Sequence, residues 1–413
     1  MKHQKRILYL VTFLLSITIF GQENFTLSGT VYDQSSNETL IGVSVYFPDL
    51  KSGTSTNEYG FYSITIPAGK HKVYISYLGY KTITETIDLT KKNTKDFYLF
   101  EDAENLDEII IESNIEKTNI KTAQMSVNKL STKTIKQIPV VLGEADIIKS
   151  IILLPGVTSA GEGASGFNVR GGSADQNLIL LDEAIVFNSS HVFGFFSVFN
   201  PDVIKDVQLY KGGIPARYGG RLSSVLDIYQ KEGNNKEFKL TGGIGLVSSR
   251  LLAEGPIKKG KSSFLVGGRA SYAHLFLPLL DNENKAYFYD LNSKINYRFD
   301  KNNNLFFSTY FGKDLFGINE SFVNTYGNTV ANLRWNHLFS DKLFSNLSLI
   351  YSDYFYGLTL DFVGFEWDSG ITNYNIKYDF DYYIKDNYKL SFGVNDIYTQ
   401  FNPGKIIPNR DNS

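Results

Sequence analysis

Residues that could act on a substrate are few and scattered. Gly161-Glu162-Gly163-Ala164-Ser165-Gly166 matches the GxGxxG loop that cradles a pyrophosphate, and Asp182 follows about twenty residues on, where a ribose-binding acid would sit. That chemistry needs a strand before the glycines and a helix after them. Here Pro155-Gly156 precedes and the strand-like Phe167-Asn168-Val169-Arg170 follows, so the match reads as chance in a glycine-rich loop. The five histidines stand at 3, 71, 191, 274 and 337, with none paired at metal-ligand spacing. His71, in the sequence HKVY with no nearby glutamate at ligand spacing, reads as a surface strand residue. Cysteine is absent, which excludes disulfides, thiolate zinc sites and cysteine nucleophiles. Neither a GxSxG elbow nor an HExxH helix occurs. The expectation is a protein that is not an enzyme and carries no cofactor and no metal.

The elements around these residues indicate a membrane protein. Lys and Arg total 41 against 43 Asp and Glu, so a net charge of -2 gives no support for a nucleic-acid partner. Aromatic residues make up 15% of the chain, with 31 Phe, 27 Tyr and 2 Trp, and about half of them lie after residue 280. Tyrosine in such number suits a lipid–water boundary better than a soluble core. Lys2, Lys5 and Arg6 precede an apolar run from Ile7 to Phe20, too short to span a bilayer and ending at Gly21-Gln22. Residues 1–21 therefore read as a secretory signal peptide. No later run reaches 18 apolar residues, so membrane residence must come from strands.

Four segments follow the signal. Residues 22–100 hold short strands separated by turn chemistry at Asn57-Glu58-Tyr59-Gly60 and Pro67-Ala68-Gly69, the pattern of a small antiparallel sandwich. Residues 101–117 are an acidic linker interrupted by Ile109-Ile110-Ile111, flanked by Asp107, Glu108 and Glu112. Three adjacent β-branched residues on a tether suit strand addition to another protein's sheet; alternatively they open the next domain. Residues 118–230 read as a mixed α/β unit, with a helix over Gly143–Leu154 stopped by Pro155-Gly156, then several strands and glycine clusters. From 231 to 413 the sequence alternates with period two. In Tyr287–Phe299 the apolar Tyr289, Leu291, Ile295 and Tyr297 alternate with Asp290, Asn292, Lys294 and Asn296, and Thr372–Tyr382 repeats the design. About eight such segments are expected, the first near 237–252, with apolar side chains toward lipid and polar ones toward the lumen. The fold class is mainly β: a sandwich, a mixed α/β domain, then the first strands of an incomplete transmembrane antiparallel barrel.

This order of parts resembles a TonB-dependent outer-membrane receptor of the Bacteroidetes type. The sandwich resembles the carboxypeptidase regulatory-like domain through Gly60–Tyr80, an accessory domain rather than a peptidase. The plug resemblance rests on Gly166–Gly172 (GFNVRGG), on Asn177–Gly213, and on Ala216–Ile228 (ARYGGRLSSVLDI). Its motif residues are Asn168, Arg170, Gly171, Gly172, Asp182, Arg217, Gly219, Gly220 and Arg221. Leu106–Ser113 resembles the TonB box, which places Asp107–Glu112 as the strand that TonB seizes. Glu183-Ala184 departs from the family, which usually has a glycine after the aspartate for a tight hairpin, and the different turn is expected to leave function unchanged.

The resemblance implies import driven by the inner-membrane proton gradient. The partners are the TonB C-terminal domain with its motor complex, outer-membrane lipid, a ligand too large for porins (a siderophore, an oligosaccharide or similar) and, in some relatives, a surface lipoprotein. The sandwich and TonB box are expected in the periplasm. Arg170, Arg217 and Arg221 either pair with acids of the barrel wall or are solvated turn residues. His191, Phe193 and Phe195 form either an outward ligand face or part of the core. Family barrels have 22 strands, so the chain is expected to be a fragment of a longer receptor. A binding, signalling or adhesion receptor on the same scaffold is the alternative.

Overall fold

A computed structural model describes residues 23–102, 126–138, 144–161, 166–272, 274–275, 284–319, 321–385 and 388–408. The signal segment, the tether with Asp107–Glu112 and most of the GxGxxG loop lie outside the described residues.

The N-terminal unit is the expected sandwich. One sheet is centred on β1 (Asn24–Asp33), which pairs antiparallel with β4 (Phe61–Pro67) and parallel with the short β7 (Asn93–Thr94) and β8 (Phe97–Leu99). The other runs β3 (Ser52–Ser55), β2 (Ser44–Phe47), β5 (Gly69–Ser76) and β6 (Ile83–Leu89). Alternating residues from both sheets fill the core: Leu27, Val31, Val45, Phe47, Tyr62, Ile64, Val73 and Ile75 are all buried. The short strands expected across 22–100 are present, and β3 and β6 are the ones without a sequence signal, β6 being the longer. Its Thr84, Glu85 and Thr86 sit on an edge with one face in solvent, so its apolar pattern is faint.

The second unit has a five-stranded sheet in the order β13 (Ala184–Ile185), β12 (Asn177–Leu181), β17 (Ser224–Gln230), β16 (Ile204–Tyr210), β9 (Val127–Ser131). Only the β12–β17 pairing is parallel. Two short ladders join β10 (Val157–Ser159) to β11 (Phe167–Val169) and β14 (Ser190–His191) to β15 (Phe196–Ser197). Helix α1 (Thr132–Gln137) is capped by Ser131. Helix α2 (Ile147–Ile152) starts at Asp146, whose side chain accepts from the Lys149 amide at 2.9 Å. Within the helix expected over 143–154, its apolar stripe Ile147, Ile148 and Ile151 packs on the sheet. Strand β12 is buried throughout because it has two covered faces. Ile179 and Leu181 join the cluster under α2, while Leu178 and Leu180 pack with Tyr210 and Val225.

The third unit is one antiparallel sheet of nine strands in chain order. They are β18 (Lys239–Ile244), β19 (Ser248–Lys258), β20 (Ser262–Ser271), β21 (Lys285–Arg298), β22 (Asn303–Ile318), β23 (Phe322–Ser340), β24 (Leu343–Leu360), β25 (Phe365–Lys385) and β26 (Tyr388–Pro408). Among the described residues β18 and β26 pair with one neighbour each, so the sheet is open. The count is nine rather than about eight because 237–252 is not one strand. The chain reverses after Ile244, and Gly245 N donates to Ser248 O across the turn. Each strand from β19 on reaches the roughly 9–11 residues a bilayer crossing needs. The alternation holds along β21, where Tyr289, Leu291, Ile295 and Tyr297 are exposed and Asp290, Asn292, Lys294 and Asn296 are buried against the second unit. Tyr310, Val330 and Ile350 of the wall complete that unit's apolar core. No described helix is long and apolar enough to cross a membrane, which says nothing of strands.

Leu291 lies near the middle of β21 and is half exposed on the face turned away from the second unit. Leu291→Arg is expected to cost roughly 2–4 kcal/mol in urea unfolding from lipid vesicles, as a cation placed on a lipid face does. The same substitution in a soluble sheet would be near neutral, so a cost below about 0.5 kcal/mol would mean this face meets water.

Candidate functional site

The seam between the second unit and the concave face of the large sheet is lined by buried charge. It begins at the β12–β13 hairpin. Leu181 faces Ala184, leaving Asp182 and Glu183 as a two-residue loop with φ of 47° and 73°. Two positive φ angles suit a tight hairpin but are ordinarily supplied by glycine or asparagine. Both carboxylates point into the wall. Asp182 Oδ2 lies 2.9 Å from Lys294 Nζ, and Oδ1 accepts the Gln230 amide at 3.0 Å. Asn332 Nδ2 donates to the Asp182 carbonyl at 2.6 Å. Glu183 Oε1 accepts from Asn346 Nδ2 and Tyr59 OH, each at 3.1 Å. Its Oε2 accepts from Ser348 Oγ at 3.1 Å and Lys377 Nζ at 3.4 Å, and Arg334 stands 3.9 Å from Oε1. Burial alone would raise the Glu183 pKa, but Lys377 and Arg334 outweigh it and hold the carboxyl below its ordinary range.

His191 is 1% exposed and links two wall aspartates. Its Nδ1 lies 2.6 Å from Asp314 Oδ2 and its Nε2 3.2 Å from Asp290 Oδ2, with the ring stacked on Phe288 at 4.3 Å between centroids. Arg269 continues the line, donating to Asp290 at 2.6 Å, to the Ser197 carbonyl at 2.7 Å and to Glu144 of the second unit. The sequence Glu144, Arg269, Asp290, His191, Asp314 alternates in sign when the imidazole is protonated. Burial opposes that proton, yet Asp314 and Asp290 prevail and raise the His191 pKa. The next two residues, Val192 and Phe193, have φ of 47° and 52° and are held by Asp314 Oδ1 and Tyr326 OH on their amides. A β-branched and an aromatic residue in that region mark backbone strain. Phe193 packs edge-on against Phe316 and stays partly exposed; Phe195 is exposed.

The other sequence-marked residues fall in different places. Arg217 bridges Glu58 of the sandwich at 2.9 Å and Asp381 of the wall at 3.8 Å. Arg170 donates to Ser126 Oγ at 3.0 Å and Arg221 to the Gly220 carbonyl, both in exposed positions away from wall acids. Asn168 pairs with Thr158 in the β10–β11 ladder. Gly171 (φ 82°) turns the chain, and at Gly172 a Cβ would lie 2.4 Å from Ser223 Oγ, too close for any side chain. Gly219 and Gly220 border open space.

Sequence reasoning had marked the inward polar positions of β21 but not their partners. Glu144, Arg269 and Asp314 were not singled out, although charged residues at inward strand positions were the available signal. Gly255–Ser262 spells GPIKKGKS and satisfies the phosphate-loop pattern, a match the sequence reading missed. It is the end of β19, a turn and the start of β20, so no helix N-terminus stands there to hold a phosphate. Among the described residues no group of three or more acids and histidines could hold a metal ion.

Residues 119–224 match the family model described as the TonB-dependent Receptor Plug Domain. The chain carries a TonB-dependent receptor plug. Residues 27–111 match the CarboxypepD_reg-like domain, a match that runs on into the tether. The plug belongs to a family of receptors, not of enzymes. No curated protein matches the chain. Among solved structures, the pyoverdine-bound FpvA of P. aeruginosa aligns at 13% identity and TM-score 0.54, over 71% of this chain and 44% of its own. The siderophore receptor PirA of Acinetobacter baumannii aligns at 15% and 0.51, over 67% and 48%. The alcaligin receptor FauA of Bordetella pertussis aligns at 13% and 0.50, over 68% and 49%. The chain spans about half the length of the structures it matches, and at these identities the likeness is one of fold.

The seam holds the plug by charge as well as by apolar contact: each buried carboxylate meets a cation or several donors. Glu183→Gln leaves Lys377 and Arg334 short of countercharge and is expected to cost about 3–5 kcal/mol of unfolding free energy in urea titration. His191 adds a pH dependence. Its folded pKa lies above the ordinary 6.5, so its stabilisation is complete below 6.5 and disappears as pH rises through the folded value. His191→Gln is expected to remove this loss from the pH–stability curve, and an unchanged slope would show that the ring stays neutral.

Proposed function

We propose that this chain acts as an outer-membrane receptor that imports a ligand through TonB. The observation that carries the reading is a plug domain whose boundary with membrane-type strands is lined by paired buried charges, beside the apolar contacts of Tyr310, Val330 and Ile350. Such a seam can be separated and resealed, because each group regains water when the two faces part. The polarity of the sheet supports a periplasmic N-terminus. Strand ends near the sandwich are joined by short turns, as between Ser340 and Leu343; at the opposite end 319–321 and 361–364 are also short, and the long connection is 272–284 between β20 and β21. Short turns mark the periplasmic side of outer-membrane barrels.

On this reading Asp107–Glu112 is the strand that TonB pairs with, main chain to main chain, and the proton gradient of the inner membrane supplies the work. The ligand class that fits is one too large for porins, such as a siderophore or an oligosaccharide; the solved PirA is a siderophore receptor, and the solved FpvA holds a pyoverdine–iron complex. His191 itself is committed to the wall, so ligand contact from this tip falls to Phe193 and Phe195, which stay partly exposed beside it.

The test is binding of the chain in detergent to the isolated TonB C-terminal domain. Ile110→Pro removes an amide from the strand and is expected to weaken binding about tenfold or more. Equal binding by both proteins would overturn the assignment of the box. Absence of binding by either would favour a receptor that captures its ligand without import.

A further inference from the structure

The sandwich is not a passenger hanging below the plug. Its β3–β4 connection is inserted where plug and wall meet, and Asn57, Glu58, Tyr59 and Phe61 each touch one or both. Asn57 shapes the insertion, its Oδ1 accepting the amides of Tyr59 and Phe61 at 3.0 Å each. Its Nδ2 reaches Asp381 Oδ2 at 3.4 Å. Glu58 lies 2.9 Å from Arg217 of the plug. The Tyr59 ring stacks on Phe344 of the wall at 5.2 Å, under the guanidinium of Arg334 at 5.0 Å, while its hydroxyl donates to Glu183 of the plug at 3.1 Å. Phe61 lies against Phe344 and Tyr383 at 5.7 and 5.8 Å.

The same carboxylates that fasten plug to wall are therefore partly satisfied by the sandwich. Arg217 stands between Glu58 and Asp381, and Asp381 is shared by Arg217, Asn57 and Lys389. A second contact lies at the plug–barrel junction. Thr39 Oγ1 donates to Glu232 Oε1 at 2.6 Å, and Glu38 Oε1 accepts the amides of Glu232 and Gly233 at 2.7 and 2.9 Å. A third joins Tyr77 OH to Asp206 Oδ1 at 3.1 Å. Withdrawing the plug with the sandwich in place would take Arg217 from Glu58 and Glu183 from the Tyr59 hydroxyl, a cost that a plug without the sandwich would not meet.

We infer that the sandwich is a latch on the plug: the Asn57–Phe61 insertion bolts plug to wall, and the plug detaches only after this insertion has withdrawn. The latch does not depend on what pulls the plug or on what is carried, so it is testable separately from the import reading.

The experiment is amide hydrogen exchange of the chain in detergent micelles, wild type against Glu58→Gln. A latch predicts that exchange rises roughly tenfold in 59–61 and, together with it, in the plug at 182–186 and 217–221. A rise confined to 59–61, or no rise in either, would overturn the latch and leave the sandwich as a passive neighbour. Protection of Val73 and Ile75, whose side chains lie in the sandwich core, reports whether that domain remains folded. If Glu58→Gln unfolds it, Tyr59→Phe takes its place. That change removes only the hydroxyl donated to Glu183, and the same joint or separate response decides.

Discussion

A carboxylate buried at a domain boundary must be paired, and this requirement shapes the molecule. The wall strands present Asp290, Lys294, Arg334 and Lys377 on the face buried against the plug. Each would be costly alone. The plug answers them with Asp182, Glu183, Glu144 and His191, and the sandwich adds Tyr59 and Glu58. Position along the seam is set by these matches, since a displacement of one residue would set Asp182 and Glu183 against the wrong partners. Apolar contact also crosses the boundaries: Tyr310, Val330 and Ile350 join the plug core, Val203 packs with Leu252 and Leu265, and Phe61 with Phe344 and Tyr383.

Sign matching also explains a turn that looks unfavourable in isolation. Positive φ at Asp182 and Glu183 costs on the order of 1 kcal/mol for each non-glycine residue. Glycine would relieve that strain and remove the side chain that Lys377, Arg334, Asn346 and Ser348 surround. Hydrogen bonds to a charged group contribute about 1.5–3 kcal/mol each, so the carboxylate outweighs the backbone strain. Glu58 shows the same balance: burial pushes its carboxyl up, but Arg217 and Lys389 prevail and bring it down to about 2.

Much of this architecture was legible in the sequence because its signals are local. Alternation along Tyr287–Phe299 specifies both the strand and its two faces, and Pro155-Gly156 marks the end of α2. The turn at Gly245–Val247 was lost because apolar residues lie on both sides of it, so one long strand replaced two short ones. The partners across the seam were not legible at all. Asp182 and Lys294 are more than a hundred positions apart, as are Tyr59 and Glu183, and nothing near either residue names the other. Glu183 was read as a harmless replacement of glycine, although a long acid where the turn favours no side chain was itself a sign of a distant partner. Of the three plug arginines only Arg217 reaches acids of other units, and its surroundings, Ala216 and Tyr218, do not distinguish it from Arg221.

The bend at Val192 and Phe193 has a mechanical side. Two adjacent residues held at left-handed angles form a wound spring, with stored energy of about 1–3 kcal/mol apiece, kept loaded by Asp314 and Tyr326. The catch is electrostatic, since Asp314 holds both the His191 ring and the Val192 amide. Anything that draws Asp314 away lets the tip recoil toward ordinary angles, carrying the exposed ring of Phe195 with it. The conformation of the whole 191–193 tip thus rests on the contacts of a single carboxylate.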